Sequence, residues 1–125
     1  MRPKTATPED FQVFKTEVKR LIKRFHIDGW NIYYEFGGTD NTCNASLTTD
    51  TTSRAASFKL AKKIYLYDDI EIKETALHEV CHLLLSDITN LAYCRFVSQD
   101  EVTKEDERTT EKLSSILAEL KDAQA

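Results

Sequence analysis

Glycine and proline are scarce, with 3 and 2 copies in 125 residues. That excludes collagen-like repeats and Pro/Gly-rich disordered tracts. Cysteine is scarce too: Cys43, Cys81 and Cys94 are odd in number and form no CxxC pair. They do not read as a disulfide framework, and they point to a reducing compartment. Long apolar runs are missing. The longest, residues 64–67 and 91–94, fall far short of the ~20 residues that span a bilayer. The opening MRPKTATPEDF carries no apolar signal core, so the expectation is a soluble cytoplasmic protein without a membrane partner. No repeat or linker divides the chain, which has room for one core-bearing domain over residues 1–125.

Neither sign of charge dominates, at 17 Lys/Arg against 21 Asp/Glu, but the layout is uneven. Residues 1–63 hold 11 basic against 7 acidic side chains, whereas residues 64–125 hold 6 against 14. The basic cluster Lys15, Lys19, Arg20, Lys23 and Arg24 falls on a helical segment whose polar face has no interleaved aromatics. A solvated helix face is therefore expected there, not a nucleic-acid interface.

The elements announce themselves by period and punctuation. Thr7, Pro8 and Asp10 supply an N-cap, a first-turn proline and a Thr-x-x-Asp box. Phe11, Phe14, Val18, Leu21, Ile22 and Phe25 then recur at helical spacing, predicting a first helix over 8–27 that stops near Gly29. Trp30, Ile32, Tyr34 and Phe36 alternate with polar neighbours, a strand that ends at Gly37-Gly38. Residues 43–49, 54–60 and 63–67 are further strand candidates. Their short connections predict a small, largely antiparallel sheet of three or four strands. Asp68 or Asp69 can cap a second helix from about residue 70 to 87 or beyond, with Ala76, Leu77, Val80, Cys81 and Leu84 on its buried side. Ser98 and Glu101 box the start of a third helix over 99–121. The order reads as an α+β fold.

The second helix contains His78-Glu79-Val80-Cys81-His82, an HExxH. Residues four apart on a helix stand one above the other, so the two imidazoles can share one Zn²⁺. Glu79, beside the first histidine, can then take the proton of an attacking water as general base. With 3 His and 11 Glu in the chain, shuffling yields this pattern in well under roughly one sequence in a hundred, so chance is a poor explanation. The bland alternative makes His78 and His82 ordinary partly buried histidines and puts Glu79 in solvent.

A strand leading into a helix that carries ALHEVCHLLLSD, followed by the acidic helix EDERTTEKL, resembles the small zincin metallopeptidases. The likeness is nearest to short phage and bacterial metallopeptidase-like proteins, in outline the SprT-like and ImmA-like minimal gluzincins. It spans roughly residues 30–120 in organisation and is sharp over 76–87. The resemblance implies a curved antiparallel sheet above an active-site helix, with a third zinc ligand on a following helix.

That third ligand departs from HExxHxxGxxH, because no histidine follows His82. A carboxylate must serve. On the third helix Val102, Thr109, Thr110, Leu113, Ile116, Leu117 and Leu120 share one side, and Asp106 lies in the middle of that stripe. A carboxylate there would be costly unless paired or coordinating metal, which makes Asp106 the leading candidate. Glu105 and Glu107 flank the stripe as alternatives, while Glu111 points away. Thr103-x-x-Asp106 also reads as a capping box opening a separate helix.

The remaining residues say less. The cysteines read as small packed side chains, and Tyr65, Tyr67 and Tyr93 as packing residues able to place a phenol near the site. An edge strand beside the metal can align an extended peptide, although the sequence does not show which strand is at the edge. The leading expectation is a zinc metallopeptidase acting on a peptide or protein substrate with Glu79 as base. The alternatives are a metal-stabilised binding or regulatory module with little catalysis, and an interaction protein with a coincidental motif.

Overall fold

The computed structural model describes residues 2–37, 44–66, 70–94 and 96–124. Asp68, Asp69, Gly38, Cys43 and Tyr67, named above as cap, strand stop, cysteine and phenol, lie outside the described residues. Eight elements follow in order: β1 (Arg2–Thr5), α1 (Pro8–Arg24), β2 (Asn31–Phe36), β3 (Ala45–Asp50), β4 (Ala55–Leu60), β5 (Lys63–Leu66), α2 (Ile70–Tyr93) and α3 (Gln99–Gln124). The fold is α+β.

Two of the caps read from the sequence form as expected. The Asp10 N–H donates to Thr7 Oγ1 at 3.1 Å, and the Thr7 N–H donates to Asp10 Oδ2 at 2.9 Å, closing the box at the start of α1. Ser98 and Glu101 make the same exchange before α3. α1 stops at Arg24, three residues short of the expected end, because His26 turns into the left-handed region (φ 56°) before Gly29 completes the turn (φ 78°).

The strands form two small sheets, of order β1-β5 and β2-β4-β3. β1 was invisible in the sequence, since Arg-Pro-Lys-Thr has no apolar alternation and qualifies only through its main chain. The β1–β5 and β3–β4 pairs are antiparallel, in keeping with the largely antiparallel pairing expected, while the β2–β4 pair is parallel. No crossover helix is needed, because β3 makes the return journey and its hairpin folds β4 into the gap beside β2. Asn44 ties the two sheets together. Its side-chain amide accepts from the Tyr65 N–H at 2.9 Å and donates to the Tyr65 carbonyl at 3.0 Å, as a neighbouring strand would.

One face of the larger sheet is buried. Ala56, Phe58 and Leu60 of β4 pack with Phe14, Val18 and Leu21 of α1 and with Ile72, Ala76, Val80 and Leu83 of α2. α3 adds Ile116 to this core. A second tie fixes the β3–β4 hairpin to α2: Arg54 stacks 3.8 Å from the Trp30 ring centroid while its Nη1 donates to Asp87 at 2.6 Å. Among the described residues no helix is long and apolar enough to cross a membrane.

Candidate metal centre

The HExxH lies wholly within α2, as its chemistry requires. At about 100° per residue, Ile72, Ala76, Val80 and Leu83 define the buried line of this helix. Glu79 sits on one flank of that line, and His82 about 60° further round. His78 and His82 are both exposed, whereas Glu79 is only 7% exposed. The bland alternative, buried histidines with a solvated glutamate, is thus the reverse of what is seen.

The two rings stand edge to face, with Nε2 atoms 3.2 Å apart. Two nitrogens held at ~2.0–2.1 Å on a tetrahedral zinc would be separated by roughly 3.3 Å. The separation of the pair is thus the one that two ligands of a single zinc ion would have. The same distance also permits one imidazole to donate a hydrogen bond to the other.

Burial raises the Glu79 carboxyl above its ordinary range, while the positive potential of His78 and then His82 pulls the other way. A carboxyl whose proton affinity is raised in this way is better suited to accept and return a proton than one in open solvent. It opens into a cleft of about 450 Å³ between α2 and β3. Glu79, His82, Ser86, Asn90 and Tyr93 form one strip of α2 along this cleft, opposite Ala45, Leu47 and Thr49. Sequence reasoning missed Ser86 and Asn90, although the spacing 79-82-86-90-93 is that of a single helix flank.

β3 is an edge strand of its sheet. The Ala61 N–H donates to the Asn44 carbonyl at 2.8 Å, and the register runs on from there without a break. By antiparallel alternation Ser46, Thr48 and Asp50 then exchange main-chain bonds with β4. The main-chain groups of Ala45, Leu47 and Thr49 point the other way, along the free edge.

Asp106, Glu105 and Glu107 are not brought to the histidine pair. Among the described residues no group of three His, Cys, Asp or Glu side chains is placed to hold one metal ion. Asp106 is exposed, and its carboxyl accepts from Thr110 Oγ1 at 3.5 Å. With Glu105 it lines a different cleft, against Ile88, Leu91 and Cys94. The reason lies in the rotation of α3. Thr109 and Ile116, at one edge of the apolar stripe, mark its buried line, and Glu105 falls on that line, whereas Asp106 is turned roughly 70° away. Leu113 and Leu117 consequently remain exposed. The capping alternative for Asp106 also falls, because α3 runs unbroken from Gln99. Cys81, expected to pack inward, is exposed for a similar reason: it stands about 140° from Ala76 round α2.

Comparison with family models, with curated protein sequences and with solved structures gave no match.

Proposed function

We propose that this chain is a zinc-dependent metallopeptidase that hydrolyses peptide bonds in the cleft between α2 and β3. The observation that carries the reading is the 3.2 Å Nε2–Nε2 pair of His78 and His82 with the buried Glu79 carboxyl on the adjoining flank. His78 and His82 would hold the ion. When bound, zinc supplies Lewis-acid polarisation of the scissile carbonyl.

The chain's own groups account for the rest. The outward main-chain groups of Ala45, Leu47 and Thr49 align an extended peptide as an added strand. Glu79 takes a proton from the attacking water and returns it to the leaving amine. Its elevated proton affinity matches that double duty. Asp106 stays the sequence's candidate for a third ligand, and reaching the histidines would require α3 to leave its present seat.

The position of Asp106 and Glu105 in the other cleft favours a second reading, a metal-stabilised binding or regulatory module that uses the same two histidines. Glu79→Gln separates the two. An enzyme keeps its zinc and loses peptide hydrolysis, measured on a denatured protein substrate. A binding module keeps its zinc and shows no hydrolysis in either form.

A further inference from the structure

The cleft beside β3 extends from the histidine pair in one direction. Every described α2 residue along it is Glu79 or follows Glu79, up to Tyr93. That strip is roughly 21 Å long at 1.5 Å per residue, the length of about six residues of extended chain. β3 climbs the cleft in the same direction as α2. Its Thr49 end leads into the hairpin that Arg54 ties to Asp87, about two helical turns beyond Glu79. Its Ala45 end adjoins Asn44, whose side chain is bonded to Tyr65 shortly before the chain enters α2. Ala45 therefore stands at the Glu79 end of the cleft, and Thr49 at the Asn90 and Tyr93 end.

The free edge of β3 pairs more favourably with an antiparallel strand than with a parallel one. Such a strand runs against β3, so its N-terminal residues lie beside Tyr93 and its chain descends towards the histidines. We propose, resting on the metallopeptidase reading above, that this cleft grips the stretch of substrate ahead of the cleaved bond. The substrate class is then an extended chain cut at an interior bond, with about four residues needed on the N-terminal side of that bond. Residues of the substrate opposite Leu47 and Thr49 turn their side chains onto the α2 strip at Ser86 and Asn90. Tyr93, 86% exposed, offers an aromatic face to the first of them. A substrate whose amino terminus lies one residue from the bond leaves most of this strip empty, which sets the chain apart from an aminopeptidase.

The test uses the zinc-loaded full chain and denatured casein. Cut sites are mapped by mass spectrometry, and synthetic peptides around the fastest-cut bond are trimmed from either end. Shortening the N-terminal side from about four residues to one should lower kcat/KM by roughly tenfold or more, the size of one or two lost main-chain hydrogen bonds. The same trimming on the C-terminal side should cost much less. Tyr93→Ala should narrow the gap between the long and the N-terminally trimmed peptide. A readout without catalysis comes from the metal-free chain by amide NMR. A spin label on the N-terminus of the long peptide should broaden Asn90 and Tyr93, and one on its C-terminus Ala45 and Glu79. Dependence on the C-terminal side alone, equal dependence on both sides, or the reversed spin-label pattern would overturn the inference and leave the peptidase reading in place. No cleavage at all by the zinc-loaded chain would overturn the peptidase reading, and this inference with it.

Discussion

Glu79 stands at the border between core and cleft, where one substitution separates its chemistry from its burial. Glu79→Gln is isosteric and removes the proton acceptor, so hydrolysis should fall by about 10²–10⁴-fold while zinc content holds. Thermal stability should hold or rise, since a buried neutral amide costs less than a buried carboxylate. Asp10 works in the opposite direction. Burial pushes its carboxyl up, but the Thr7 N–H and Lys4 outweigh that and hold it below its ordinary value of 3.8. A folded-state value lowered in this way gives stability that is present above pH 3.8 and lost as pH falls through the folded value. Asp10→Asn should therefore cost stability at neutral pH and approach the parent chain as pH drops below that window. Thr7→Ala, which removes the cap oxygen, should cost about 1 kcal/mol in urea unfolding. Both caps were legible in the sequence because a box needs only local residues. The side of α2 on which Cys81 falls was not, since it depends on how the helix is rotated against the sheet.

The proposed function gives β3 the task of aligning a peptide, and its two sets of main-chain groups can be tested apart. Thr49→Pro removes an N–H that points along the free edge, so the fold should stay and peptide hydrolysis should drop. Thr48→Pro removes an N–H bonded to β4 and should destabilise by roughly 1–3 kcal/mol, read from the unfolding midpoint. Equal effects of the two would mean that the strand register has been misassigned. Arg54 and Asp87 supply a further test of how the hairpin is held on α2. Their contact is partly buried and reinforced by the Trp30 ring, so a double-mutant cycle to alanine should give a coupling of about 1–2 kcal/mol. This is more than an exposed surface pair such as His26–Glu119 should show. Four of the five strands and all three helices could be read from hydrophobic period. β1 escaped because backbone pairing leaves no side-chain pattern, and the parallel β2–β4 pair escaped because order within a sheet is not written in strand length. α3 misled for a different reason: it is seated on one edge of its apolar stripe, at Thr109 and Ile116, and not on the middle where Asp106 stands.

The molecule as a whole joins its core to the cleft beside β3, and α2 belongs to both. Val80 and Leu83 anchor the helix while Glu79 and His82 face β3, so ligation of the histidines should be felt by the entire fold. Metal bound only to the native state at a hundred times its dissociation constant would add about 2.7 kcal/mol. Removal by a chelator should lower the melting temperature correspondingly. The helix that carries the motif was legible in the sequence, although its end at Tyr93 and its rotation against the sheet were not. The placement of Asp106 was not legible, because it depends on how α3 is rotated and seated against α2. The central claim is that His78 and His82 form a zinc site. Its most direct test is elemental analysis of the dialysed full chain beside His82→Ala. One zinc per wild-type chain, with most of it lost in the variant, is the result expected. Equal zinc in both, or none in either after reconstitution with zinc, would contradict it.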